Sequence, residues 1–192
     1  MNLSAIKRLC LDNGEFTIIN APDGQWIGNG RCFYPVDGVE LHEDGVPALF
    51  DLTPKKADEC NILERPAIDR RFSIMPQDDD TPMTPVGMGY LRGALYIALK
   101  DERGMMYIPK AAMKPVKWDK VNYFSRGRGG LRTVAVFGDL FCSALICPVT
   151  EKTAEQIREE ARAVLGMSME DTIRWKAMEE DGEVGDDGAA DD

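Results

Sequence analysis

The sequence predicts an α+β protein, a mostly antiparallel sheet with short helices, ending in C-terminal helices and a disordered acidic tail. Three observations lead there. Hydrophobic residues make up 44% of the 192 and charged residues 29%, enough apolar material for a packed core. Short β-prone segments punctuated by turn residues fill 16–149. The clearest helical periodicity lies at the two ends of that region, over 3–10 and 153–165.

Leu3, Ile6, Leu9 and Cys10 share one helical face, and Gly14 tolerates the positive φ that ends a helix. Segments 15–20 and 25–34 flank Ala21-Pro22-Asp23-Gly24, where proline presets φ and glycine closes the turn of a hairpin. Residues 47–52 read as a short strand, and Thr53-Pro54 as the cap and first position of a second helix. Residues 76–85 hold three prolines and Asp78-Asp79-Asp80, a composition suited to a link between two halves. Beyond it, 90–99 and 105–108 flank a hairpin loop at 100–104. Segments 131–137 and 140–149 flank the two-residue loop Gly138-Asp139. Residues 140–147 are apolar on both faces, as a doubly covered central strand requires. Thr153 and Gln156 form a capping box for a helix stopped at Gly166, and Ser168 caps a shorter helix to about Met178. The expected organisation is an N-terminal helix-hairpin lobe (1–75), the link (76–85), a C-terminal β lobe with helices (86–178) and the acidic tail (179–192).

Charge is unevenly distributed. Residues 151–192 hold fourteen acidic and five basic side chains, so the net −10 belongs almost entirely to the C-terminal segment. From Glu179 onward there are eight acidic residues and no basic ones, the composition of a disordered tail. No stretch approaches the roughly 18–20 consecutive apolar residues of a membrane span. The N-terminal run Met1-Asn2-Leu3-Ser4-Ala5-Ile6-Lys7-Arg8 reverses the order of a secretory signal. Five cysteines without a CxxC pair, and a single histidine, supply neither a zinc set nor a disulfide framework. A cytoplasmic protein with buried thiols and no cofactor is the expectation.

Chemistry concentrates between Met106 and Arg132. Seven basic residues, Lys110, Lys114, Lys117, Lys120, Arg126, Arg128 and Arg132, face one acid, Asp119, with Trp118, Tyr123 and Phe124 interleaved. Positive charge with aromatics suits phosphate contact and base stacking, so these seven and Trp118 are the candidate nucleic-acid-binding residues. Pro115 would end any helical turn begun at Pro109, so a short helix and a loop present the lysines. The bland alternative is a solvated basic face over core aromatics. Elsewhere the signals are weaker. Gly28-Asn29-Gly30 lies inside a hairpin with no following helix, unlike a dinucleotide site. His42 reads as a surface histidine, and three adjacent aspartates at 78–80 rarely converge on one ion. No catalytic constellation is visible.

The run Val134-Ala135-Val136-Phe137-Gly138-Asp139-Leu140-Phe141-Cys142-Ser143-Ala144-Leu145-Ile146-Cys147-Pro148-Val149 resembles the closing hairpin of DNA sliding clamps. In bacterial clamps the last strand commonly ends in an aliphatic run and a Met-Pro pair; here Cys147 stands in the place of Met. The resemblance implies two clamp-like lobes, assembly into a ring or related homo-oligomer, and Lys110, Lys114 and Lys117 facing duplex DNA without reading its sequence. The leading expectation is a non-enzymatic DNA-associated accessory protein contacting phosphates. The alternative is a protein-interaction or inhibitory module whose acidic tail mimics phosphate charge toward a protein partner. Neither involves a membrane.

Overall fold

The computed structural model describes residues 2–38, 40–67, 70–127 and 132–165. Helix α1 (Leu3–Asn13) precedes strands β1 (Glu15–Ala21), β2 (Gly24–Gly28) and β3 (Cys32–Val36). Short helices α2 (Val46–Leu49) and α3 (Pro54–Asp58) lead to β4 (Asn61–Pro66). Strands β5 (Thr81–Leu91), β6 (Ala94–Asp101), β7 (Gly104–Pro109), β8 (Asn122–Arg126), β9 (Thr133–Gly138) and β10 (Phe141–Ile146) follow, then helix α4 (Glu151–Leu165). Among the described residues the strands form one sheet in the order β4-β1-β2-β3-β10-β9-β8-β5-β6-β7. Among the described residues only the β1–β4 pair is parallel. The protein is therefore α+β, and no described helix is long and apolar enough to cross a membrane.

Period-2 alternation sorts the strand side chains onto two faces. On one face Ile18, Ile27, Tyr34, Ile146, Val136 and Leu99 belong to a single buried cluster that draws on both halves of the chain. Helix α1 adds Ile6 and Cys10 to it. The opposite face carries two smaller clusters. Trp26, Phe33, Ala135 and Phe137 lie under Phe72 and Ile74, while Ala98, Leu91 and Tyr107 lie under Ala154 and Ile157 of α4. Burial pushes the thiols of Cys32 and Cys142 up to about 12, so both are packed as neutral side chains.

The structure departs from the sequence-based expectations at specific places. Only 76–80 of the proposed link is loop, because Thr81, Pro82 and Met83 pair with Ser125, Phe124 and Tyr123 of β8. Two prolines are accepted here because β5 leaves β8 after Met83, and a register shift follows Pro85 where β5 runs on with β6. Residues 46–49 are helical rather than extended. Pro47 suits a first helical turn, and the turn sends Val46 and Phe50, four apart, into the core together. In the β6–β7 hairpin Lys100 and Asp101 stay in the strand, leaving Glu102-Arg103 as the loop. In the β9–β10 hairpin the loop is Asp139-Leu140, one residue later than expected, with Gly138 opposite Phe141 and Asp139 at φ 56°. The doubly covered strand is correspondingly shorter, since Leu140 and Phe141 are 74% and 55% exposed. Thr150, not Thr153, caps α4, accepting from the Thr153 amide at 3.3 Å. The helix expected over 168–178 and the tail 179–192 lie outside the described residues.

Gly28 shows how closely β2 meets the chain beyond it. A Cβ there would stand 1.8 Å from the Cys32 carbonyl oxygen, a backbone atom that cannot swing aside. Gly28→Ala is expected to cost about 3 kcal/mol or more in urea unfolding, the upper range for overpacking. Gly45→Ala meets only a Leu41 methyl at 3.5 Å and is expected to stay within about 0.5 kcal/mol of wild type.

Candidate nucleic-acid interface

After β7 the chain crosses the core as a strap, residues 110–121, before entering β8. Pro109 is extended, and a 3-10 turn, Lys110–Met113, follows it as the proline spacing anticipates. Ala112 and Pro115 are buried, and Met113, Val116 and Val121 pack against the main cluster. The backbone is tied down by distant parts of the chain. Tyr34 donates its hydroxyl to the Ala112 carbonyl at 2.7 Å, and the Asn2 amide donates to the Pro115 carbonyl at 3.0 Å. Burial raises the Tyr34 pKa, which keeps that hydroxyl a donor.

With the apolar residues turned inward, Lys110, Lys114, Lys117 and Lys120 are left exposed. None of the four joins an ion pair among the described residues. Trp118 lies flat over Gly138, where a Cβ would be only 2.0 Å from the indole Cδ1. Its ring N–H donates to Ser143 Oγ at 3.0 Å, and half of the residue remains exposed.

The arginines behave differently, and Arg126 is a correction. Its side chain is 1% exposed, lying on the face of the sheet opposite the strap, over the Phe137 ring at 5.4 Å. Nε and one Nη bind the two carboxylate oxygens of Asp80, each at 2.7 Å. The remaining donors go to the carbonyls of Arg71, Ser73 and Met75 at 3.0, 2.7 and 2.9 Å. Burial opposes the charge most strongly, but the hydrogen bond and charge of Asp80 outweigh it and hold the pKa above the ordinary value. Arg126 thus has no donor left for phosphate, and Asp80 is likewise committed rather than free for a cation. Arg132 is also engaged. It pairs with the fully buried carboxylate of Asp101 and donates Nε to Ser125 Oγ at 2.9 Å. Arg103 converges on the same groups, reaching Ser125 Oγ at 3.0 Å and Thr81 Oγ1 at 3.1 Å. Burial lowers the Arg132 pKa; Asp101 works against that and Arg103 with it. Arg128 lies outside the described residues.

Sequence spacing therefore grouped two kinds of cation. Four lysines and Trp118 share the strap, whereas Arg126 and Arg132 are structural partners of Asp80 and Asp101. Arg103 was missed because its membership depends on the tight β6–β7 turn. Phe141 was missed because its exposure follows from the one-residue shift of the β9–β10 loop. Comparison of the chain with protein-family models, curated proteins and solved structures finds no match.

A separate polar cluster closes the outer edge of β4. Glu43 accepts from the Glu64 amide at 2.8 Å, and His42 Nδ1 lies 3.2 Å from Glu64 Oε2. The hydrogen bond and charge of Glu64 raise the His42 pKa, while Asn20 foremost, then His42, lowers that of Glu64. A raised histidine contributes fully below its unfolded value of about 6.5 and is lost as pH rises through the folded value; a lowered carboxylate is lost as pH falls through its folded value. Docking of the 3-10 turn Glu43–Gly45 is expected to be tightest between about pH 5 and 6.5. In an NMR titration His42 should show a pKa above 6.5 that returns toward it in Glu64→Gln; an unchanged value would remove the linkage.

The Arg126–Asp80 pair gives a second test. Arg126→Met should cost about 3–5 kcal/mol in denaturant unfolding, because it leaves a buried carboxylate uncompensated. Arg126→Met combined with Asp80→Leu should recover much of that loss. Single variants within about 0.5 kcal/mol of wild type would show that the pair does not hold 71–80.

Proposed function

We propose that this protein is a non-enzymatic, DNA-associated accessory protein that contacts phosphates, without reading sequence, through Lys110, Lys114, Lys117 and Lys120. The observation that supports this reading is the strap: four exposed ammonium groups, free of ion pairs among the described residues, on a backbone pinned at Ala112, Pro115 and Trp118. A pinned backbone leaves less entropy to lose when a ligand arrives. Lysine ammonium groups act as point charges, which suits phosphate contact and carries no base information. Arg126, Arg132 and Asp101 fall outside the proposed interface because their charges are spent within the fold.

The proposal rests on the strap rather than on the ring assembly that the sliding-clamp resemblance implies. The two outer strands are each engaged in part by their own chain, β4 through Glu43 on the Glu64 amide and β7 through the Val149 amide on the Tyr107 carbonyl. Assembly through those edges would have to displace these bonds.

Fluorescence anisotropy with a labelled oligonucleotide across a salt series tests the reading. Displacement of counterions by four lysines predicts a slope of log affinity against log salt between about −2.8 and −3.6, for about −0.7 to −0.9 per contact. Lys114→Gln should flatten the slope by about 1 with the fold intact. Lys110, Lys114 and Lys117 replaced together by Glu should abolish binding. Affinity unchanged in that triple variant would overturn the assignment.

A further inference from the structure

Six of the seven phenylalanines take part in ring-ring contacts: Phe16 with Phe50, Phe33 and Phe72 around Trp26, and Phe124 with Phe137. Phe141 takes part in none among the described residues and is 55% exposed. It stands directly opposite Gly138 in the β9–β10 hairpin, so its side chain projects from the same face as the vacant Cβ position of Gly138. That position is where Trp118 lies. Two half-exposed aromatic residues therefore occupy neighbouring places at one end of the sheet, beside Lys117 and Lys120. Each ring costs free energy in water, and together they form an apolar surface that the fold leaves uncovered.

The indole is oriented as well as exposed. Its inner face rests on glycine backbone and its N–H is already donated to Ser143, which leaves an aromatic face and no unmet donor toward solvent. Stacking needs a fixed ring of this kind, and every base offers a π face in return. Bases are available for stacking only when they are unpaired.

We infer that Trp118 and Phe141 form a stacking site for unpaired bases, so that the ligand of the strap is single-stranded nucleic acid rather than duplex. The inference rests on the phosphate-contact reading of the lysines and narrows it. Lys117 and Lys120 hold the backbone beside the rings, and Lys110 and Lys114 extend the phosphate track along the strap. Asp119 and Asp139 are also exposed near the rings, so the local field is mixed and the rings supply what charge alone does not.

The test uses the full chain and three probes of equal length: oligo-dT, an abasic single strand with the same phosphates, and a duplex. Oligo-dT is expected to bind about tenfold or more tightly than the abasic strand, and more tightly than the duplex. Phe141→Ser, at an exposed position, should bring oligo-dT down to the abasic level while leaving abasic binding unchanged. Trp118→Ala should do the same; a loss of abasic binding as well would show that it had loosened the strap, and Phe141→Ser then decides. Equal affinity for oligo-dT and the abasic strand, or preference for duplex, overturns the stacking site and leaves the lysine reading standing. Failure of all three probes to bind overturns both. Capture by anionic vesicles, lost in Leu140→Ser and without oligonucleotide binding, would reassign the same surface to a lipid interface and also overturn the inference.

Discussion

One buried guanidinium organises much of this molecule. Arg126 sits at the end of β8, and its donors all find acceptors in the crossing between the two halves of the chain: the carboxylate of Asp80 and the carbonyls of Arg71, Ser73 and Met75. A buried charge survives only when its hydrogen bonds are met, so the segment must adopt the shape the guanidinium requires. That shape lays Phe72 and Ile74 over the aromatic side of the sheet and delivers the chain to β5 at Thr81. The proline-rich stretch is ordered by an ion pair at one end and a strand at the other.

Once the crossing is fixed, the two halves share a sheet and a core. β3 pairs with β10, and one apolar cluster extends from α1 to β7. The strap belongs to that cluster through Ala112, Val116 and Val121. Its lysines are consequently outward by default, for the inward positions are already occupied by residues that lose more by exposure. The same division explains why a run of seven basic residues is not one patch. Arg126, at the end of β8, and Arg132, just before β9, meet buried carboxylates; the four lysines on the strap meet solvent.

Much of the fold was legible because it depends on local rules. The turn at Gly24, the cap and proline of α3 and the glycine stop of α1 all follow from spacing. The α2 segment, the β5 prolines and the exposed Phe141 did not, because each is decided by a partner far away in sequence. Val46 and Phe50 choose a helix to reach the common core, Pro82 is allowed by the place where β5 changes neighbour, and Phe141 is turned outward by a hairpin whose Gly138 makes room for Trp118. The candidate site was half legible. Lys110 and Lys114 were readable from a proline-bounded turn and Lys117 and Lys120 from the loop after it, whereas burial of Arg126 required knowing that Asp80 lies across from it.

The division of the basic segment into an exposed lysine strap and a buried arginine clasp is tested most directly by chemical footprinting read by mass spectrometry. Lysine acetylation and arginine modification would be followed residue by residue, with and without a single-stranded oligonucleotide. The expected result is rapid acetylation of Lys110, Lys114, Lys117 and Lys120, protection of those four by the oligonucleotide, and an Arg126 that stays unmodified in both states. Arg126 reacting as fast as a surface arginine, or four lysines that the oligonucleotide leaves unprotected, would contradict it.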